Sequence, residues 1–341
     1  MYHMNKKFIF VILCIGVICI IFLTTLKIKN TYNSKHWDNG SHYLRHPDTE
    51  EERDVPLNTK LLIEPKCDSS IIVWIVTSSA EDSTGRIALR HAYSNDELKK
   101  FNIRRVFLLG IPKSETSTTL LQKESLNYGD VLQGNFLEAY RNLTLKHLMG
   151  LKWASENCIA HFLIKTDDDI VINLFQVLEL LEDGEITDNV LSGYALKGTL
   201  PIRTPGNKWF VTREEFAESI YPNYLSGWFY ITSLQIVQKL ILRSRISKKS
   251  FWIDDIYITG ILRQECGITI KELNNLYATD YRWRLRCEFI AGPDGGKREL
   301  QLKFKEYSAF CRFILVSLKF YMKICSSGPS PPEIKIGQNF T

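Results

Sequence analysis

"FLIKTDDDIVIN", residues 162–173, sets three consecutive aspartates, Asp167, Asp168 and Asp169, between two runs of the aliphatic and β-branched residues that strands favour. A strand buried on both faces reads as a short, nearly continuous apolar run, so three like charges here meet the edge of a core. Two runs of the same kind precede it: "SIIVWIVTS" at 70–78, and "IRRVFLLGI" at 103–111, closed by Gly110 and Pro112. Between them "GRIALRHAYSNDELKKF" reads as helix, and across 136–158 Phe136, Tyr140, Leu143, Leu148, Leu151 and Trp153 recur at roughly helical spacing. Strand, helix, strand, helix, strand is the order of an open α/β sheet, whose ligands sit at the carboxyl ends of the strands. The aspartates occupy such an end. Beyond them come an amphipathic helix at 172–183, a strand at 190–196, a basic and apolar helix at 309–324, and a Pro- and Ser-rich tail that reads as disordered.

With 341 residues, 45% of them hydrophobic, the chain can build a large core. Its 43 basic and 38 acidic residues form no basic stripe, which excludes a nucleic-acid partner as the first reading. "FIFVILCIGVICIIFLTTL", 8–26, is uncharged and long enough to cross a bilayer, and no small-residue cleavage site follows it. It reads as an uncleaved signal-anchor. Lys6 and Lys7 before it and Lys27 and Lys29 after it leave the orientation open. Sequons at Asn142 and Asn339 and six cysteines beyond the span favour a lumenal body, the cysteine pairing being open. The expected organisation is a cytoplasmic tail at 1–7, the anchor at 8–26, a polar stem at 27–68, a lumenal domain at 69–300 and a C-terminal segment at 301–341.

One aspartate after a strand is explained as a helix cap, but three are not. Mutual repulsion raises their proton affinity unless a cation or hydrogen-bond donors answer it. Mg²⁺ and Mn²⁺ take such carboxylates together with substrate phosphates, and neutralise charge on a leaving diphosphate. The chain has no GxxxxGK[ST] and no GxGxxG after a strand, and kinase loops are absent, which leaves a transferase using a nucleotide sugar. A second acidic pair, Asp254 and Asp255 in "FWIDDIYITGIL", caps a helix or supplies a general base for a hydroxyl nucleophile. Trp209, Tyr221, Tyr224 and Trp228 either stack on a sugar or fill the core.

Several ordered motifs then resemble one family. "GRIALRHAYS" is similar to RxAIRxTW, with Arg86 and Arg90 kept and Tyr93 for tryptophan; "FLLG" at 107–110 matches outright. "ESLNYGDVLQGNFLEAYRNLTLK", 124–146, is similar to E…YGDIIQxDFxDxYxNLTLK, and "KTDDDIVIN" to KxDDDxFVN. "KWFVT", "YPNYLSGWFYITS" and "DDIYITG" follow in the same order, with Asp254 in place of a glutamate. From about residue 70 to 265 the chain thus resembles the β1,3-galactosyltransferases, glycosyltransferase family 31, Golgi type II membrane enzymes.

The resemblance implies a GT-A type α/β fold with an open mixed sheet flanked by helices. It further implies transfer from a UDP-sugar to a glycan acceptor on glycoprotein or glycolipid, with inversion and with Mn²⁺ (or Mg²⁺) as cofactor. UDP-galactose is the first donor expected, and UDP-N-acetylglucosamine or UDP-N-acetylgalactosamine the alternatives. By the same resemblance Asp255 is the base and Asp169 the main metal ligand, with Asp167 at the metal or nucleotide. Asp168, Arg86 and Arg90 fall on the donor side, and Trp228 and Asp254 at the acceptor loop. Besides those replacements the pattern departs at the metal: members supply a metal-binding histidine after the base, whereas the last histidine here is His161. A catalytically silent Golgi relative that binds glycans or partner proteins is the reading from a different class.

Overall fold

Residue alternation splits the buried strand Ile72–Thr77 between two cores. Val73 and Ile75 face one cluster, and Ile72, Trp74 and Val76 the other, on the opposite side of the sheet. The structure, a computed structural model, describes residues 59–67, 69–247, 250–279 and 287–326. The expected cytoplasmic tail and anchor, stem residues 27–58 and the tail with Asn339 lie outside the described residues. Among the described residues no helix is long and apolar enough to cross a membrane.

The strands are β1 (Leu61–Ile63), β2 (Ile72–Thr77), β3 (Ile103–Ile111), β4 (Val131–Leu137), β5 (Phe162–Asp167), β6 (Ile170–Ile172), β7 (Val190–Leu196), β8 (Tyr224–Ser233), β9 (Thr269–Glu272) and β10 (Ala291–Pro293). Eight of them form a mixed sheet in the order β1-β4-β3-β2-β5-β8-β7-β9. β2, β3, β4 and β5 run parallel, so the C-terminal ends of β2 and β5 share one edge; β8 runs antiparallel to β5, pairing Thr166 with Phe229. The start of β8 therefore lies beside the end of β5. The three apolar runs of the sequence are the three central parallel strands, because burial on both faces demands continuous hydrophobicity.

Helices α1 (Thr84–Ala92) and α2 (Asn95–Lys100) cover one face with α5 (Leu174–Glu182), contributing Leu89, Ala92, Leu98 and Val177. On the other face α4 (Leu143–Asn157) and α6 (Leu234–Ile246) bury Leu148, Leu151, Trp153, Val237 and Leu240. The expected helix over 136–158 needs correction. Phe136 belongs to β4, which pairs with β3, and a 3₁₀ turn at Tyr140–Asn142 separates it from α4. Roughly helical spacing across the junction concealed a strand whose existence depends on a distant partner. Helix α3 (Glu115–Tyr128), capped by Ser114, precedes that strand.

The folded body also extends past the expected boundaries at both ends. β1 pairs with β4, and Cys67 is disulfide-bonded to Cys158. At the other end helix α7 (Glu299–Ser326) packs on α1, α5 and β6, buries Phe304 and is tied by Cys311 to Cys287. β10 reaches it from an antiparallel pairing with β6, the strand that follows the aspartates.

Candidate active site

At the end of β5 the three aspartates enter three different environments. Asp167 ends the strand with its side chain 36% exposed, and Oδ1 accepts from Lys165 Nζ at 2.7 Å. Asp168 turns inward: its backbone N–H donates to Thr77 O, and Oδ2 accepts from Ser78 Oγ at 2.6 Å. Helix α1 begins against that carboxyl, and a Cβ on Gly85 would lie 2.6 Å from its Cγ, so any larger residue there must displace the Asp168 side chain. Asp169 stands open at the turn. Partial burial, then the charges of Asp167, Asp168 and Asp294, push its proton affinity up to about 7, against the pull of Arg298.

The second acidic pair comes within reach of the first through Gly227. Lys165 is buried and donates both to Asp167 and to the Gly227 carbonyl, while the Gly227 N–H donates to Asp255 Oδ2 at 3.3 Å. A π-helical run, Ile256–Leu262, follows Asp255 with every residue buried. Thr259 on it donates to the carbonyls of Asp255 and Leu225, tying the acidic pair to β8. Widened turns of this kind recur at functional sites.

The neighbours Asp254 and Asp255 titrate as a pair whose environments separate them. Burial raises Asp254, but the hydrogen bond from His147 Nδ1 at 2.8 Å and the charge of Lys165 outweigh it and hold the carboxyl below the usual range. Burial and the charge of Asp254 raise Asp255 well above that range. His147 is itself buried, which lowers its proton affinity; as a neutral ring it donates to Asp254 and accepts from Tyr230 Oη at 2.7 Å. The pair thus consists of one fixed anion and one carboxylate with high proton affinity.

The other expected site residues fall at varying distances from this centre. Arg86 makes two 2.7 Å bonds to Glu124 and reaches the triplet only through Ser78 Oγ, at 3.0 Å. Arg90 lies further back, bound to Asp130 and Glu124 and stacked over Tyr128. Trp228, next to Gly227, is half-buried with its ring stacked on Tyr194. Tyr221 and Tyr224 are buried and fill core, Tyr221 packing on Phe216 and Phe251. Trp209 is exposed and donates to Tyr140 Oη. Asn142 is half-buried, its amide donating to Leu137 O, and the sequon's Thr144 is buried with its hydroxyl on Phe251 O.

Four residues of this centre escape a reading of the sequence: His147, Ser78, Asp294 and Arg298. His147 is a lone histidine on a helix, and only the packing of α4 against β8 gives it partners. Asp294 and Arg298 lie in "GPDGGKREL", a segment with no recognisable pattern. The antiparallel pairing of β10 with β6 brings it to the triplet, where Asp294 N–H donates to Asp169 O at 2.8 Å.

Among the described residues no group of three or more His, Cys, Asp or Glu side chains is arranged to hold a metal ion. Asp169 and the second oxygen of Asp167 nevertheless offer two hard oxygen donors, which suits Mg²⁺ or Mn²⁺ completed by substrate phosphates. His161 lies just before the opposite end of β5 and does not join them.

Comparison with known proteins identifies the family of the chain. Residues 84–274, more than half of the chain, match the family model described as Galactosyltransferase. Human β-1,3-galactosyltransferase 5 is 29% identical over 268 residues, covering 77% of this chain and 81% of that protein. The Gorilla gorilla gorilla protein of the same name is also 29% identical over 268 residues, covering 77% of this chain and 84% of its own length. Mouse β-1,3-galactosyltransferase 1 is 30% identical over 215 residues, covering 61% of this chain and 65% of that protein. With the triplet, the Gly227 junction and the Asp254–Asp255 pair all inside or bordering the matched span, the chain belongs to the galactosyltransferase family.

Proposed function

We propose that this chain is an inverting transferase that moves galactose from UDP-galactose to a sugar hydroxyl of a glycoprotein or glycolipid, forming a β1,3 linkage on a GT-A type fold. One observation carries the reading: Lys165 and Gly227 join Asp167, which shares its turn with the open Asp169, to Asp255, the carboxylate of high proton affinity, in a single centre. An acceptor hydroxyl is a poor nucleophile, and a carboxylate within reach takes its proton as the C–O bond forms. Asp255 has that role. The new bond forms on the face of the sugar opposite the departing UDP, so one displacement inverts the anomeric carbon, and the proton ends on Asp255.

Asp169 and Asp167 are the residues to hold Mn²⁺ or Mg²⁺, which when bound offsets charge on the leaving diphosphate. Asp168, lodged against Ser78 and Gly85, fixes the turn that presents them. Trp228, half-buried beside the junction, and Asp254 border the acceptor side; Arg86 supports the donor side through Ser78. The disulfides Cys67–Cys158 and Cys287–Cys311 suit an oxidising compartment. This supports a lumenal Golgi body carried by the signal-anchor at 8–26, with Asn142 and Asn339 as glycan acceptors.

The test is a transfer assay of the purified chain with UDP-galactose, UDP-N-acetylglucosamine and UDP-N-acetylgalactosamine, each with Mn²⁺ and with chelator. Mn²⁺-dependent turnover of UDP-galactose above the other two is expected. Preference for an N-acetylated donor would reassign the sugar. No turnover of any donor, with no UDP binding, would overturn the enzyme reading in favour of a silent relative.

A further inference from the structure

We infer that Arg298, brought to the triplet by a segment outside the family match, is a ligand of the donor's diphosphate. The inference deepens the proposed function and rests on it.

Three cations contact side chains of the triplet or of Ser78 beside it; Lys146, 2% exposed and paired with Glu138, reaches only the Ser78 carbonyl. Lys165 is 1% exposed and closed off between Asp167 and Gly227, and Arg86 is 2% exposed behind Ser78. Arg298 is 28% exposed, the one of the three that presents charge to the open side. An anionic diphosphate approaching Asp167 and Asp169 is repelled unless a cation faces it, and neither buried cation can do so.

The guanidinium is held in place from behind. Nη1 donates to Asp294 Oδ2 at 2.9 Å and to the Asp168 carbonyl at 3.1 Å. Asp294 is fully buried and itself fixed, accepting from Gly296 N–H at 2.7 Å and donating its own N–H to Asp169 O. Gly295 and Gly296 turn the chain with φ of 61° and 78°, a left-handed pair that side chains rarely tolerate, and this reversal returns Arg298 over the triplet. Nε and Nη2 make no hydrogen bond to a described residue; Nη2 approaches Asp168 Oδ1 only to 3.8 Å. A planar fork with one edge anchored and the other free matches paired phosphate oxygens.

The anchoring also answers a rival role. If Arg298 only clamped the Asp168–Asp169 turn, its loss would disturb everything the turn presents. If it also binds diphosphate, its loss is selective for phosphorylated ligands. Titration calorimetry of the full-length chain in detergent, with UDP and with uridine, in Mn²⁺ and in chelator, separates the two. Arg298→Gln should weaken UDP about 10- to 100-fold in both conditions, the range of a lost charge-assisted pair, and leave uridine unchanged. Arg298→Lys, which keeps the charge but not the fork, should recover part of the loss at an unchanged melting temperature. Unchanged UDP affinity in Arg298→Gln overturns the inference, as does equal weakening of UDP and uridine, which assigns a clamp. No UDP binding by the unaltered chain in either condition overturns the transferase reading itself.

Discussion

The two acidic clusters, three aspartates in one and two in the other, are built from the same side chain in opposite settings. At the end of β5, Lys165 answers Asp167, Ser78 and Arg298 both meet Asp168, and Asp167 and Asp169 are left partly open. At the start of the π-helical run, one neighbour is held charged by His147 while the other gathers proton affinity. A carboxylate's role is thus decided by what answers its charge. Groups that are partly answered and open suit a cation and phosphates; a half-buried group beside a fixed anion suits proton transfer.

The sharpest way to break the comparison is to remove the proton acceptor alone. Asp255→Asn is expected to lower transfer by about 10²–10⁴-fold, the range of a positioned general base, measured as initial rate with saturating donor. Asp169→Ala attacks the other cluster. It should weaken Mn²⁺-dependent UDP binding about 10–100-fold, by analogy with lost metal-site groups, while the melting temperature holds or rises. The rise follows from the raised proton affinity of Asp169: its ionised form is disfavoured in the folded state, so removing it relieves repulsion.

The pH profile sharpens the comparison further. Asp255 works only when ionised and its folded proton affinity is raised, so log kcat/KM should fall as pH drops, about tenfold per unit, starting well above the ~4 of an ordinary carboxylate. An acid limb near pH 4 would contradict the assignment. The smallest effect is structural. Gly85→Ala puts a methyl 2.6 Å from the Asp168 carboxyl and should cost about 1–3 kcal/mol in urea unfolding, although alanine normally favours a helix.

How much of this could be read in the sequence follows the range of the interactions. β2, β3 and β5 are legible because a strand buried on both faces must be apolar throughout, and the aspartates are legible as a break in such a run. β4 was hidden because its existence rests on pairing with β3, and Phe136 fits a helical spacing as well as a strand. His147 carried no signal, since its partners, Asp254 and Tyr230, lie 107 and 83 residues away in the chain. Arg298, 130 residues from Asp168, reaches it by a strand pairing and a two-glycine turn that no local pattern announces.

The central claim is the division of labour between the clusters, and one variant tests it most directly. On a single preparation of Asp255→Asn, UDP affinity in Mn²⁺ and the rate of sugar transfer are measured side by side. UDP should bind within about twofold of the unaltered chain, because no phosphate ligand is assigned to Asp255, while transfer is abolished or nearly so. Transfer that survives, or UDP affinity that falls along with it, would contradict the account.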